Sequence, residues 1–347
     1  MARTAVVVFN LGGPDSLEAV KPFLFNLFND PSIIRQPRPL RWLIAKLIST
    51  RRTPIAKEIY RQIGGRSPIL EETRQQAEAL QRILGGGDDY CVFFAMRYWR
   101  PFAEDCVIEV KAYEPDRIIL LPLYPQFSTT TTASFHRAWK IAAEKNDLSC
   151  PMTMVCCYPT EPGLIDAMAM QTKSSLEKIM QKPDRILFSA HGLPEKFIAA
   201  GDPYQAQVKM TVAAIVDRLG IPELDYVICY QSRVGPVEWL RPYTDDEIKR
   251  AGRDGVSVTV IPVAFVSEHS ETLVELDIEY AKLAKDVGVP EYIRGATVGV
   301  NHDFIQGLAR LVQSVGNHDI VSGVGQKICP DTFGACAYRQ AGAPSSG

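Results

Sequence analysis

The sequence predicts an α/β fold of two doubly wound lobes, each built on a parallel sheet. Three observations carry this expectation. Short runs rich in Val, Ile and Phe recur along the 347 residues. Those runs are apolar on both faces, as strands covered by helices on either side must be. Longer stretches of helical periodicity separate them, which is the strand and helix alternation that parallel crossovers require.

Taken in order, the first strand is AVVVFNL (5–11), which runs into the glycine turn NLGGP. A densely apolar stretch, VKPFLFNLFNDPSII, follows, and then RQPRPLRWLIAKLISTRR interleaves positive charge with Trp42, Leu43, Ile44 and Leu47. That pattern fits an amphipathic helix packed on its lobe. It also fits a hydrophobic lip over a pocket, or a patch across residues 20–52 resting on an anionic membrane surface. CVFFAMRY and RIILLPLY supply the next strands, and MTMVCCY, RILFSAH, YVICYQS and VTVIPVAFV the strands of a second set. A polar helix, RAWKIAAEKNDLS, divides the sets, so the break is expected between 134 and 151, with lobes of 1–140 and 141–300. Within 301–347, the helix DFIQGLARLVQSV is expected to return to the first lobe and the tail QAGAPSSG to be flexible.

A hydrophobic content of 46%, 22% charge and a net charge of −2 describe a soluble enzyme. Nucleic-acid binding needs a basic face, which this balance does not supply. No apolar run approaches a membrane span and the first residues lack a cleavage pattern, so the chain is expected in the cytoplasm. The eight cysteines, at 91, 106, 150, 156, 157, 229, 329 and 336, lack the spacing of a disulfide framework. NLGGPDS fits neither GxGxxG nor Walker A spacing, which leaves a nucleotide role without support.

Parallel sheets bind ligands beyond the carboxyl ends of their strands. Six stretches qualify: NLGGP, RYWRP, LYPQFSTTTT, SAHGLP, YQSRVGP and VSEHSE. The last opens a helix that Ser267 or Ser270 could cap. At about 100° per residue, an α-helix sets Glu271, Glu275 and Glu279 within roughly 80°, opposite Leu273, Leu276 and Tyr280. A solvated face explains most such rows, and Lys282 on the same face suits it. Like charges four residues apart repel, however, and a bound cation would relieve them. His269 and Glu271 at the helix entrance offer imidazole and carboxylate together, and the row then forms a path of about 12 Å. His191, after RILFSA, is either a hydrogen-bonded turn residue or a proton acceptor and metal ligand. Trp239 and Tyr230 suit core packing or a flat aromatic ligand. Ser232, Arg97, Tyr98 and Tyr60 offer donors for carboxylate or phosphate.

Taken together, NLGGP, RRTP, QIGGRSPI, FAMRY, LYPQFSTTTT, SAHGLP, GDPY, QSRVGPVEWL and SEHSETLVELDIEY resemble, in order, the ferrochelatases. These enzymes insert ferrous iron into a porphyrin at the last step of haem synthesis. The resemblance implies a class II chelatase-like fold of two Rossmann-like lobes with the porphyrin between them. It implies His191 and Glu271 as the iron-site pair, and Glu275, Glu279 and His269 as a path for ions or protons. Tyr60, Arg97, Tyr98, Ser232 and Trp239 would line the porphyrin pocket. Ferrous iron is then a substrate. Some relatives also hold a [2Fe-2S] cluster through four cysteines, three near the C-terminus. Here Cys329 and Cys336 are present, Tyr338 stands where a third sulfur is expected, and Ala167 takes one internal position, although Cys150, Cys156 or Cys157 could supply an internal ligand; the set looks incomplete and a cluster stays open but doubtful. Two other functions stay open: a haem or porphyrin carrier, and a chelatase for coproporphyrin or another metal such as cobalt. Neither the oligomeric state nor the choice between protoporphyrin and coproporphyrin is legible.

Overall fold

In a computed structural model, residues 3–85, 89–182, 184–316 and 318–338 are described; the tail 340–347 lies outside them. The strands are β1 (Thr4–Asn10), β2 (Tyr90–Met96), β3 (Arg117–Pro122), β4 (Met152–Val155), β5 (Asp184–His191), β6 (Tyr226–Gln231), β7 (Ser257–Pro262), β8 (Tyr292–Arg294) and β9 (Ile320–Val321). They form two parallel sheets, ordered β2-β1-β3-β4-β9 and β6-β5-β7-β8. This is the two-lobe α/β architecture expected.

The chain divides into two compact units. The first runs to Cys157 and takes back Leu308–Ile328 and a stretch from Ala337; the second comprises Tyr158–Gly307 and Cys329–Cys336. The boundary falls after Cys157, past the break expected near 140. The helix Thr132–Lys145, expected to divide the lobes, packs into the first: Phe135 stacks on Phe9 of β1 with centroids 4.0 Å apart. β4 then pairs with β3, Ile119 opposite Thr153, and belongs to the same sheet. The last helix, His302–Ser314, leads to β9, which pairs with β4 in the first unit.

The central strands are apolar on both faces because both are covered. In β1, Ala5, Val6, Val7, Val8 and Phe9 are fully buried; in β5, so are Leu187, Phe188 and Ala190. The second sheet's order sends the chain to one side of β5 through β6 and to the other through β7. Its topological switch point therefore lies between the carboxyl ends of β5 and β7, where such sheets bind ligands.

Two helices differ from expectation. The basic segment forms a helix over Arg38–Arg61, but its apolar residues face outward: Leu40, Trp42, Leu43 and Leu47 are exposed, and Ala45 and Ser49 are buried. Small side chains pack inward, so the helix is not an amphipathic one resting on its apolar face. The glutamate segment is a π-helix over Glu271–Tyr280 that continues as an α-helix over Ala281–Asp286. Neither serine expected to start it caps with its side chain: Ser267 lies outside the helix, and Ser270 at the N-cap makes no capping bond. Instead, Thr272 Oγ1 accepts from the His269 N–H and donates to the His269 carbonyl, both at 3.0 Å.

Candidate active site

The site is built within the second unit, on the two sides of its switch point. β5 delivers His191 as its last residue. Gly192 then turns the chain where little else fits, since a Cβ would lie 2.8 Å from the Gln231 carbonyl oxygen and 3.2 Å from the Trp239 ring. Tyr204, buried at the start of the helix Tyr204–Leu219, donates its hydroxyl to the His191 carbonyl at 2.9 Å. Beyond β7, Phe265 sets its ring 6.4 Å from the His191 imidazole and 4.6 Å from that of His269, centroid to centroid.

The π-helix brings Glu271 to both histidines. Glu271 Oε2 lies 3.1 Å from His191 Nδ1 and 3.5 Å from His269 Nε2. Burial disfavours charge on His191, but the Glu271 carboxylate, reinforced by Glu275, raises the imidazole above its ordinary pKa. Burial would also raise Glu271, yet His191 and His269 hold its carboxyl well below the usual range.

Glu275 is held differently. Its Oε1 accepts from the Ser232 N–H and the Tyr280 hydroxyl, both at 2.8 Å. Its Oε2 accepts from Gln231 Nε2 at 3.1 Å and from Ser232 Oγ. A carboxylate offers about four acceptor positions, so these donors saturate it. Burial and the neighbouring Glu271 charge nevertheless raise its pKa, because the donors only partly offset them. Gln231 is itself oriented by Ser189, whose hydroxyl donates to Oε1 at 2.8 Å; its Nε2 also reaches the Glu271 carbonyl at 3.0 Å.

The structure thus assembles His191, His269, Glu271, Glu275 and Ser232, with Trp239 packed on Gly192 beside them. Glu279 is exposed at the end of the π-helix. Tyr280, expected on the core side, rests its ring on the core but turns its hydroxyl to Glu275. In the first unit, Tyr60 and Tyr98 are not open to a ligand, as expected of pocket residues, but buried in a cluster with Val20, Phe23 and Leu24. Arg97, by contrast, keeps a partly exposed guanidinium at the carboxyl end of β2. Phe265 and Tyr204 escaped the sequence reasoning; both lie in stretches singled out for other residues, SEHSETLVELDIEY with the strand before it and GDPY.

A [2Fe-2S] cluster needs four thiolates. Cys329 and Cys336 are buried, and Gln207 Nε2 donates to Cys329 Sγ at 3.1 Å. Cys150 donates to the Pro115 carbonyl at 3.2 Å, and Cys156 and Cys157 touch each other at 3.5 Å. Among the described residues, no three His, Cys, Asp or Glu side chains are grouped to hold a metal ion. Also among them, no helix is long and apolar enough to cross a membrane.

Comparison with known proteins agrees with this geometry. The chain matches the family model described as Ferrochelatase over residues 3–315. It is 50% identical over 341 residues to a protein of Rickettsia bellii named ferrochelatase, covering 96% of this chain and 94% of that one. A protein of the same name from Caulobacter vibrioides is 52% identical over 320 residues, covering 90% and 91%. Among solved structures, SirB from Bacillus subtilis with Fe3+ superposes with a TM-score of 0.54 at 12% identity, covering 90% of this chain and 94% of that one. A sirohydrochlorin chelatase SirB in complex with cobalt, from Bacillus subtilis subspecies spizizenii, gives 0.51 at 12% identity, covering 90% and 94%. At that identity the likeness is one of fold, and it matches the class II chelatase-like architecture.

Proposed function

The chain belongs to the ferrochelatase family, and from that premise we propose that it inserts ferrous iron into protoporphyrin IX, forming protohaem and releasing two protons. The observation that supports this reading most is the Glu271 carboxylate set between two imidazoles at a sheet's switch point. Metallation must draw water from the cation, remove two pyrrole protons and form four Fe–N bonds. Neutral His191 accepts the two pyrrole protons one after the other, releasing the first towards solvent before it takes the second, and Glu271 stabilises the imidazolium formed each time. Imidazole and carboxylate together also suit ferrous iron, and a site of two side chains holds a departing substrate more loosely than a closed four-ligand cage.

Glu275 and exposed Glu279 extend negative charge from Glu271 to solvent, drawing cations in and giving protons a way out. Since its acceptor positions are filled, Glu275 acts by its charge more than by ligation. Trp239 offers the porphyrin an aromatic wall next to His191. Arg97 offers donors to a porphyrin carboxylate, while Tyr98, bonded to Asp30, and Ser232, bonded to Glu275, support the ligand from behind, and Tyr60 packs in the cluster around Tyr98. Within residues 20–52, the exposed face of the helix Arg38–Arg61 contacts an anionic membrane surface: Leu40, Leu43 and Leu47 are exposed beside Arg38, Arg41 and Lys46, the composition of an interfacial helix.

His191→Ala is expected to abolish turnover while porphyrin affinity, read by fluorescence titration, changes by no more than about threefold. Near-normal turnover would remove His191 from the chemistry. Run anaerobically with ferrous iron, the assay should include protoporphyrin and coproporphyrin in parallel; binding of either without metallation would favour the carrier.

A further inference from the structure

We propose that Asp30 is a positioning residue for porphyrin binding: it fixes Arg97 at the ligand edge of the first sheet and ties it to the loop that precedes the exposed helix Arg38–Arg61. This deepens the ferrochelatase reading and rests on it. Asp30 lies in no strand-end stretch and follows the helix Val20–Phe28. Its carboxylate is fully buried. Oδ2 accepts from Arg97 Nη2 at 2.8 Å, from the Tyr98 hydroxyl at 2.7 Å and from Ser134 Oγ, and Oδ1 accepts from the Ser32 N–H at 2.7 Å. Ser134 Oγ also accepts from Arg97 Nε at 2.7 Å, which closes a ring of three side chains.

A buried carboxylate is costly unless it is paired and hydrogen-bonded. Burial here is outweighed by Arg97 and the three hydrogen-bond donors, which hold the Asp30 carboxyl below its ordinary pKa. Apolar residues could fill the same volume, so the cluster is better explained by what it orients. Arg97 has two of its five N–H groups engaged and remains one-fifth exposed, at 20%. A free arginine samples many rotamers; one clamped at Nε and Nη2 presents its remaining donors in a fixed fork. The loop is fastened on its other side too. Arg137 Nη2 donates to Ser32 Oγ at 2.7 Å, and Arg41, on the exposed helix, donates to the carbonyls of Asn29 at 2.9 Å and Gln36 at 2.8 Å.

The test is steady-state metallation with fluorescence titration of the metal-free porphyrin on the full chain. Asp30→Asn is expected to raise KM and Kd for protoporphyrin about tenfold, with kcat changed less than about threefold. Combined with Arg97→Gln, it should add nothing further, because both remove the same contact. Additive losses, or an unchanged Kd in a folded Asp30→Asn protein, overturn the proposal. An unchanged Kd in Arg97→Gln also overturns it. If Asp30→Asn does not fold, Ser134→Ala, which frees Arg97 Nε and keeps the ion pair, should still raise Kd a few-fold, and no change there is equally decisive against it. Porphyrin binding without metallation by the unaltered protein would sink the ferrochelatase reading alone, since the titration tests the role of Asp30 independently.

Discussion

Ser232 is one of four non-glycine residues with a positive φ among the described residues. Its φ of +64° lies in the left-handed region, where a non-glycine residue costs about 1–2 kcal/mol. The strain has a return: in that conformation both its N–H and its hydroxyl reach Glu275. Ser232→Gly keeps the N–H contact and relieves the backbone, whereas Ser232→Ala keeps the strain and loses the same hydroxyl. Denaturant unfolding should therefore find Ser232→Gly more stable than Ser232→Ala by about 1 kcal/mol. The reverse order would show that the backbone there is not strained. His191 and Glu271 were legible in the sequence because each stands just beyond an apolar run, and strand ends can be read from composition. The role of Ser232 was not, because positive φ at a serine leaves no compositional trace. Phe265 was hidden for another reason: a phenylalanine following a strand reads as core.

The π-helix is where helical periodicity misled. The α-helical spacing placed Tyr280 away from the glutamates, whereas the wider turn, bonding residues five apart, brings its hydroxyl to Glu275 at 2.8 Å. What the spacing did carry was Leu276 on a buried side away from the acidic one; Leu273, expected beside it, is only partly buried, and Val274, which the spacing did not single out, is buried. The element is anchored from below by Arg294 at the end of β8. Arg294 donates from Nη1 to Glu268 Oε1 at 2.6 Å, and from Nε and Nη2 to the two oxygens of Asp277. The side chains of Arg294 and Glu268 are nearly buried, and Asp277 is a third exposed, at 33%. Removing the guanidinium leaves two carboxylates unpaired, so Arg294→Gln should cost about 3 kcal/mol at neutral pH. Burial works to raise Glu268, but Arg294 and the Thr272 and Thr297 donors hold it below its ordinary pKa. A depressed carboxyl stabilises the fold above its unfolded pKa and loses that contribution as pH falls through its folded pKa. The gap between Arg294→Gln and the unaltered protein should hence narrow in acid. A constant gap from pH 7 to below the carboxylate range would show that Glu268 does not report this pair.

At the scale of the molecule, seven of the nine strands among the described residues and their parallel pairing were legible, but β8, β9 and the path of the chain between the units were not. Apolar runs announce strands without naming their neighbours, so β4 read as the start of a second lobe although it pairs with β3. β9, two residues long, gave no signal at all. Yet it closes the first sheet: Met154 N–H donates to the Asp319 carbonyl at 2.9 Å, Cys156 N–H to Val321 at 2.7 Å, and Gly323 N–H to Cys157 at 2.7 Å. Residues 329–336 then join the second unit, where the Ala335 N–H donates to the Gly201 carbonyl at 3.2 Å and Gln207 bonds Cys329. Two truncations separate these roles. Ending the chain after Lys327 removes the contacts of the second unit and leaves β9 in place. Ending it after Gly316 also strips β9, turns β4 into an unpaired edge and uncovers part of the core around Met154 and Cys156. The shorter chain should therefore lose several degrees more in thermal midpoint than the longer one, a difference of about 1–2 kcal/mol, and should aggregate sooner on heating. Equal midpoints for the two chains would mean that β9 is a passive edge and that the first sheet is complete at β4.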